Sequence, residues 1–323
     1  MLIYLIAAAL VFDFTNGFHD ASNIIATVIS SRALAPRTAL YMTAAAEFVA
    51  PFIFGVAVAT TIGKGLIDPN VISINVVMAG VLAAIIWNLF TWWISIPSSS
   101  SHALIGGLLG AAIIASGIQV VQLKGLLLVL TALFVSPPLG LLVSFIFMNI
   151  ALFVFQNASQ KVNTMFRRIQ ILTSLSLALS HGTNDAQKTM GIITLGLVAS
   201  GYQETFYVPL WVVTISAAAI ALGAASGGWR LIRTLGGRIY KIRPIHAFTS
   251  QAASAGVVLG AALIGGPVST TQVVSGAIMG AGAAERFNMV RWQIAKHMLV
   301  TWLLTIPASA ALSAIIYMFI RGL

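Results

Sequence analysis

The chain of 323 residues is 59% hydrophobic and only 7% charged, with a mean hydropathy of +0.98, so it lacks the polar surface of a soluble globular domain and is expected to be a polytopic membrane protein. It contains no cysteine, which excludes disulfides, thiolate catalysis and cysteine-held metals. The net charge of +10 sits in short basic stretches between apolar segments, a membrane-topology pattern rather than a nucleic-acid surface.

In chain order, Met1 to Leu5 lacks a basic leader region and is expected to belong to the mature fold. Apolar stretches follow at 38–62, 71–96, 126–155, 208–227 and 293–320, each near or above the roughly 20 residues that a spanning helix needs. No strand alternation competes with them, so an all-α membrane fold is expected and a β-barrel is not. Placing the basic loops inside, namely Lys161, Arg167 and Arg168, then Arg230, Arg233, Arg238, Lys241 and Arg243, predicts crossings at 1–31, 38–62, 72–96, 97–118 and 123–155. The second half then crosses at 170–200, 207–227, 246–265, 267–284 and 292–320. An odd number per half turns the second half upside down. The expected organisation is a first repeat at 1–155, a cytoplasmic linker at 156–169 and an inverted second repeat at 170–323, in a cell membrane. Segments 1–31 and 170–200 are polar in the middle, while 97–118 and 267–284 are short and glycine-rich. These four are the expected broken or re-entrant helices, meeting at a central site.

Two motifs occur twice. The run Asp13-Phe-Thr-Asn-Gly-Phe-His-Asp20-Ala-Ser-Asn23 returns as Ser180-His-Gly-Thr-Asn184-Asp185-Ala-Gln-Lys188, with Gly17, Asp20 and Ala21 falling on Gly182, Asp185 and Ala186 at one offset (182 − 17 = 165). A carboxylate in hydrocarbon is expensive, so a matched pair marks an ion or substrate site. Asp20, Asn23, Asn184 and Asp185 supply hard oxygens of the kind that hard cations take, and Gly17 and Gly182 are read as places where the helix breaks to expose carbonyls. Lys188, three residues beyond Asp185, is a candidate counter-charge.

The second motif pairs Pro97 to His102 with Pro267 to Gln272 (267 − 97 = 170), and Gly106 and Gly110 fall on Gly276 and Gly280 at that offset. Proline suits the first turn of a helix, where free N–H groups point back along the axis. Hydroxyls from Ser99, Ser100 and Ser101, and from Ser269, Thr270 and Thr271, add donors to that turn. Each set forms a neutral oxyanion cradle, without arginine, suited to an anion that must also be released. The four glycines are read as helix-packing positions. Glu47 and Gln251 lie in otherwise apolar spans and are further candidates for the cation or proton path. His19, His102 and His181 lack metal-ligand spacing and are expected to hydrogen-bond around the site.

With these residues in place, the chain resembles the inorganic phosphate transporter family. The matching motifs are Gly17 to Ala21, Gly182 to Ala186, Thr61 to Gly65, Trp87 to Trp92, Pro97 to Leu104, Gly228 to Gly236 and Pro267 to Thr271. The resemblance implies inward phosphate transport driven by co-transported Na⁺ or H⁺, with no other cofactor and no enzymatic activity, an inverted-repeat helical fold and a homodimer in the lipid bilayer. It implies cation or phosphate contact for Asp20, Asn23, Asn184 and Asp185, phosphate contact for both hydroxyl clusters, and a place for Glu47 in the second span. Family members often carry His where this chain has Gln272, so a proton role does not carry over to that position. The short linker resembles prokaryotic members. Rival readings are a permease for sulfate or another tetrahedral oxyanion, a hydroxyl-lined anion channel, and an intramembrane hydrolase using Ser101, His102 and an Asp.

Overall fold

The computed structural model describes residues 1–69, 72–94, 98–159, 161–227 and 242–322. Among them the protein is helical, with one isolated antiparallel bridge between Ile67 and Val121. The first half comprises α1 (Leu2–Ser30), α2 (Pro36–Phe54), α3 (Ala57–Thr60) running into a π-turn (Thr61–Gly65), α4 (Ile74–Trp93), α5 (Ser100–Ser116) and α6 (Leu123–Val154). The second comprises α7 (Val162–Ala199), α8 (Leu210–Ser226), α9 (Pro244–Leu263), α10 (Thr270–Glu285) and α11 (Trp292–Ile320). Pro97 and the basic residues Arg230, Arg233, Arg238 and Lys241 lie outside the described residues, as does the motif Gly228 to Gly236.

By length and apolarity, four helices among the described residues can each cross a bilayer: Leu2–Ser30, Ile74–Trp93, Leu123–Val154 and Met298–Ile320. Against ten expected crossings this is fewer, because several segments are short or face other helices and so carry polar side chains. Large apolar side chains cover the outside instead: Leu127, Phe134, Leu142 and Phe153 on α6, and Leu299, Leu303, Leu304 and Phe319 on α11, are all exposed. Such continuous apolar surface belongs in lipid, and the protein is membrane-embedded.

The helix breaks differ from those expected. The segments 1–31 and 170–200 are unbroken: α1 runs 29 residues and α7 runs 38, beginning inside the segment expected as linker. The break falls within 38–62, expected as a plain span. Pro51 removes a backbone donor near the end of α2, Gly55 takes a left-handed φ of +82°, and the chain bends by 73° into α3. The N–H groups exposed at this new helix start are capped by Gln187 of α7, whose Oε1 accepts from Val58 N at 2.7 Å and Ala59 N at 3.2 Å. Segments 97–118 and 267–284 do form short helices behind extended starts, of 17 and 16 residues.

Gly17 and Gly182 act as contact points rather than breaks. A Cβ on Gly17 would collide with the Ile220 carbonyl of α8, and one on Gly182 would lie 2.6 Å from Glu47 Cα of α2. Gly106 and Gly110 of α5 meet α11 at Ile306, Ser309 and Ala310, while Gly276 and Gly280 of α10 meet α6 at Pro137 and Leu141, as the packing reading expects. Each half thus lays its glycine-bearing helices against helices of the other. Between α1 and α7 the pairing runs backwards, with Leu5 beside Gly196, Asn16 opposite Asp185 and Asp20 opposite His181, so these two helices are antiparallel.

Two apolar clusters bracket the centre. Leu5, Ala9 and Phe12 of α1 join Met190 and Ile193 of α7 in one, and Ile24, Ile25 and Val28 join Leu177 and Ala178 in the other. The motif residues of both helices fall between them, which sets a polar layer inside an apolar stack.

Candidate functional site

The layer is assembled from four elements. On α1, Asp13, Asn16, Asp20 and Asn23 recur every three or four residues and share a face; on α7, His181, Asp185 and Lys188 do the same, with Asn184 beside them. The starts of α5 and α10 close the layer from either side. Asp13, Asp20, Glu47 and Asp185 are all buried, as is Lys188.

Around Asp20 the bonds are neutral. Asn23 Nδ2 donates to Asp20 Oδ1 at 2.7 Å and to Thr271 Oγ1 at 2.8 Å, and Thr271 Oγ1 donates to Asp20 Oδ1 at 2.6 Å. Around Asp185 they are charged. Lys188 Nζ donates to Asp185 Oδ1 at 2.8 Å, Asn16 Nδ2 donates to Asp185 Oδ2 at 2.8 Å, and Thr270 Oγ1 lies 3.4 Å from Asp185 Oδ1. Lys188 Nζ also donates to Ser101 Oγ at 2.6 Å and to the Val268 carbonyl at 3.1 Å, and Ser101 Oγ donates to that same carbonyl at 2.8 Å. The Asn184 amide satisfies its surroundings with its nitrogen toward Val268 O at 3.2 Å and Asp185 Oδ1 at 3.1 Å.

His181 bridges the two acids. Its Nδ1 bonds Glu47 Oε1 at 2.7 Å, and its Nε2 lies 3.4 Å from Asp185 Oδ2 and 3.6 Å from Asp20 Oδ2. Asp20, His181 and Asp185 each offer a ligand atom, all within 4.8 Å of one another, a spacing that suits one metal ion.

The structure thus brings together Asp20, Asn23, Asn184, Asp185, Ser101, Thr270 and Thr271, and adds Glu47 through His181. Ser99 is employed locally: it caps α5, accepting from His102 N at 3.2 Å, and bonds His102 Nδ1 at 2.7 Å. Ser100 is the first residue of α5 and is half-buried, and Ser269 immediately precedes the first residue of α10 and is buried. Gln272 reaches His102, its counterpart in the other half, at 3.3 Å. Behind this pair a cavity of about 460 Å³ opens between α5, α6, α10 and α11, lined by Phe134, Pro137, Trp292 and Trp302 among others. Gln251 lies elsewhere, bonded to Thr27 Oγ1 at 2.8 Å and to Thr173 Oγ1 at 2.7 Å.

One expectation is corrected by this geometry. The cradles are not neutral, because the Lys188 ammonium reaches the hydroxyl of one and the backbone carbonyl of the other. Two residues were missed. Asn16 orients Asp185, and the repeat offset places Asn16 on His181, so polarity at both positions was a usable signal. Gln187 caps α3 across 128 residues of chain, which no local pattern announces.

A family model described as "Phosphate transporter family" matches residues 16–313. Relatives from Bacillus subtilis (strain 168) and Rhizobium meliloti (strain 1021) are each 44% identical, over 99% and 98% of this chain and 97% and 96% of their own length. Both are named "Probable low-affinity inorganic phosphate transporter". A solved structure described as "The sodium-dependent phosphate transporter" is 26% identical with a TM-score of 0.90, covering 100% of this chain and 99% of its own.

Proposed function

The chain belongs to the phosphate transporter family, a family of transporters and not of enzymes, and from that membership together with the buried site we infer that it imports inorganic phosphate by cation-coupled symport across the cell membrane. The observation that carries this reading is reciprocity at the centre. Asp20 of the first half holds Thr271 of the second at 2.6 Å, and Lys188 of the second holds Ser101 of the first at 2.6 Å. Two helix starts with hydroxyls therefore face two acidic motifs across one layer.

The roles follow from the chemistry. The coupling ion, Na⁺ or H⁺, is a cargo held by oxygens of Asp20 and Asp185, with Asn23 and Asn184 completing the ligand set. Its charge offsets the acids and raises the affinity for an anion next to them. Phosphate takes its bonds from the first turns of α5 and α10, including Ser100, Ser101, Ser269, Thr270 and Thr271, with Ser99 fixing the helix start. The antiparallel pairing of α1 and α7 supports two inverted repeats, 1–155 and 170–323, with basic loops in the cytoplasm; rocking of one against the other would expose the site to alternate sides. In the membrane the unit is a homodimer.

Uptake of labelled phosphate by purified protein in liposomes, with Na⁺ and pH gradients imposed separately, tests this reading. Accumulation above the external concentration is expected with one gradient. Equilibration without accumulation would replace the carrier by a channel, and full competition by sulfate would replace phosphate by oxyanions in general.

A further inference from the structure

We propose that Lys188 is a tethered counter-ion, occupying in the second half-site the place that a co-transported cation would otherwise take, so that fewer free cations move per phosphate than two acidic sites require. This deepens the symport reading above and rests on it.

The repeat itself motivates the comparison. Lys188 falls on Asn23 at the offset of the acidic motif (188 − 23 = 165), and Thr271 falls on Ser101 at the offset of the hydroxyl motif (271 − 101 = 170). Both halves therefore build one figure: an acid, a donor three residues later, and a hydroxyl from the opposite half. In the first half the donor is an amide, 2.7 Å from Asp20 and 2.8 Å from Thr271. In the second it is an ammonium, 2.8 Å from Asp185 and 2.6 Å from Ser101.

The surroundings of Nζ resemble an ion cage. A primary ammonium has three N–H donors, and here they meet a carboxylate, a hydroxyl and the Val268 carbonyl, all hard oxygens. Hard monovalent cations take such a set. Lys188 is fully buried, and an ammonium in that position is stable only with a partner charge, which Asp185 supplies. Asp185 thereby has its charge met within the protein, so that it can lend the coupling ion an oxygen but calls for no second cation. Asp20 has the uncharged Asn23 and Thr271, and the His181 ring that it faces at 3.6 Å is shared with Glu47 and Asp185, so the demand for a mobile cation falls on the Asp20 side. A fixed charge beside Ser101 and Val268 also stays with the protein when phosphate leaves, ready for the next anion.

The test counts ions rather than turnover. Equilibrium binding of labelled Na⁺ to purified protein, without phosphate, is compared between wild type and Lys188→Asn, which gives the second half the donor of the first. Lys188→Asn is expected to bind one more Na⁺ per chain than wild type, whether the Asp20 side itself takes Na⁺ or a proton. In liposomes its phosphate uptake is expected to be lost in choline medium and restored by Na⁺ with a steeper concentration dependence. Lys188→Met, with neither charge nor polar atom, is expected to stay inactive at every Na⁺ concentration. An equal Na⁺ count in wild type and folded Lys188→Asn overturns the proposal, as does wild-type uptake by Lys188→Met. Should Lys188→Asn not fold, the wild-type count decides: two Na⁺ per chain in wild type leaves no place for a tethered ion. The symport reading fails separately, if wild type accumulates no phosphate under any gradient.

Discussion

Asp20 and Asp185 hold matched positions in the two halves, yet their surroundings differ in charge and in enclosure. Asp20 keeps a slight exposure of 6% and bonds to the neutral Asn23 and Thr271; Asp185 is wholly enclosed and draws Lys188, Asn16 and Thr270; His181 stands between the two, 3.6 Å from the first and 3.4 Å from the second. At the offset of the repeated motif the two half-sites thus differ in their donors, Asn23 against Lys188 and Asn16 against His181. The half with the amide retains a carboxylate whose charge must be met from outside, whereas the half with the ammonium is complete in itself. Inside hydrocarbon that is a large distinction, because removing one partner of a buried ion pair leaves the other uncompensated.

The sharpest way to break this comparison is one substitution made twice. Asp185→Asn strands the Lys188 ammonium, and a loss of about 3–5 kcal/mol is expected, read as a collapse of thermal unfolding temperature in detergent. Asp20→Asn leaves a neutral amide among neutral partners, so the protein stays folded while driven phosphate uptake disappears. Equal thermal stability of the two variants would mean that the half-sites are equivalent after all. The next effect is steric. Gly17→Val and Gly182→Val each force a side chain into the backbone of a helix from the other half, and overpacking of about 1–3 kcal/mol is expected for both. A large difference between them would show that only one of the two contacts is tight. Gln187→Leu has no counterpart in the first half; it strips the cap from Val58 and Ala59, with an expected loss of about 1–3 kcal/mol for the unmet donors. Chemical unfolding checks it. The hydroxyls come last. Ser101→Ala and Thr271→Val each remove two hydrogen bonds, one of them to a charged group and of about 1.5–3 kcal/mol, and both are expected to weaken phosphate affinity with less change in folding than Asp185→Asn. Ser101→Ala is the weaker lesion of the two, since Lys188 retains Asp185 and Val268.

Much of this site was legible in the sequence, because duplication exposes function directly: residues that recur at one offset in apolar surroundings are under a common demand. Asp20 with Asp185, and the Ser and Thr clusters, were singled out in this way, and the structure places Asp20, Asp185, Ser101, Thr270 and Thr271 in one layer. What escaped was set by three-dimensional neighbours. Glycines in polar stretches suggested broken helices, but at positions 17 and 182 the missing side chain makes room for a crossing helix, and local sequence cannot tell a hinge from a contact. The true bend needed Pro51 and Gly55 read together against a span that hydropathy alone made continuous. Lys188 was readable as a partner for Asp185, yet its reach to Ser101 and Val268 depends on α5 and α10 meeting in the centre. Gln251 looked like Glu47 by placement in an apolar span; the first meets threonines and the second meets His181, a difference fixed by which helices flank them.

The exchange of glycine faces bears on how the polypeptide could be divided. Residues 1–155 alone would present the grooves of α2 and α6 with nothing to fill them, and residues 170–323 alone would leave α8 and α11 likewise bare. Neither piece owns a finished interior. A nick among the exposed residues 156–159 therefore leaves two fragments that need each other, and co-production, rather than sequential refolding, is the route by which a split version would regain its shape.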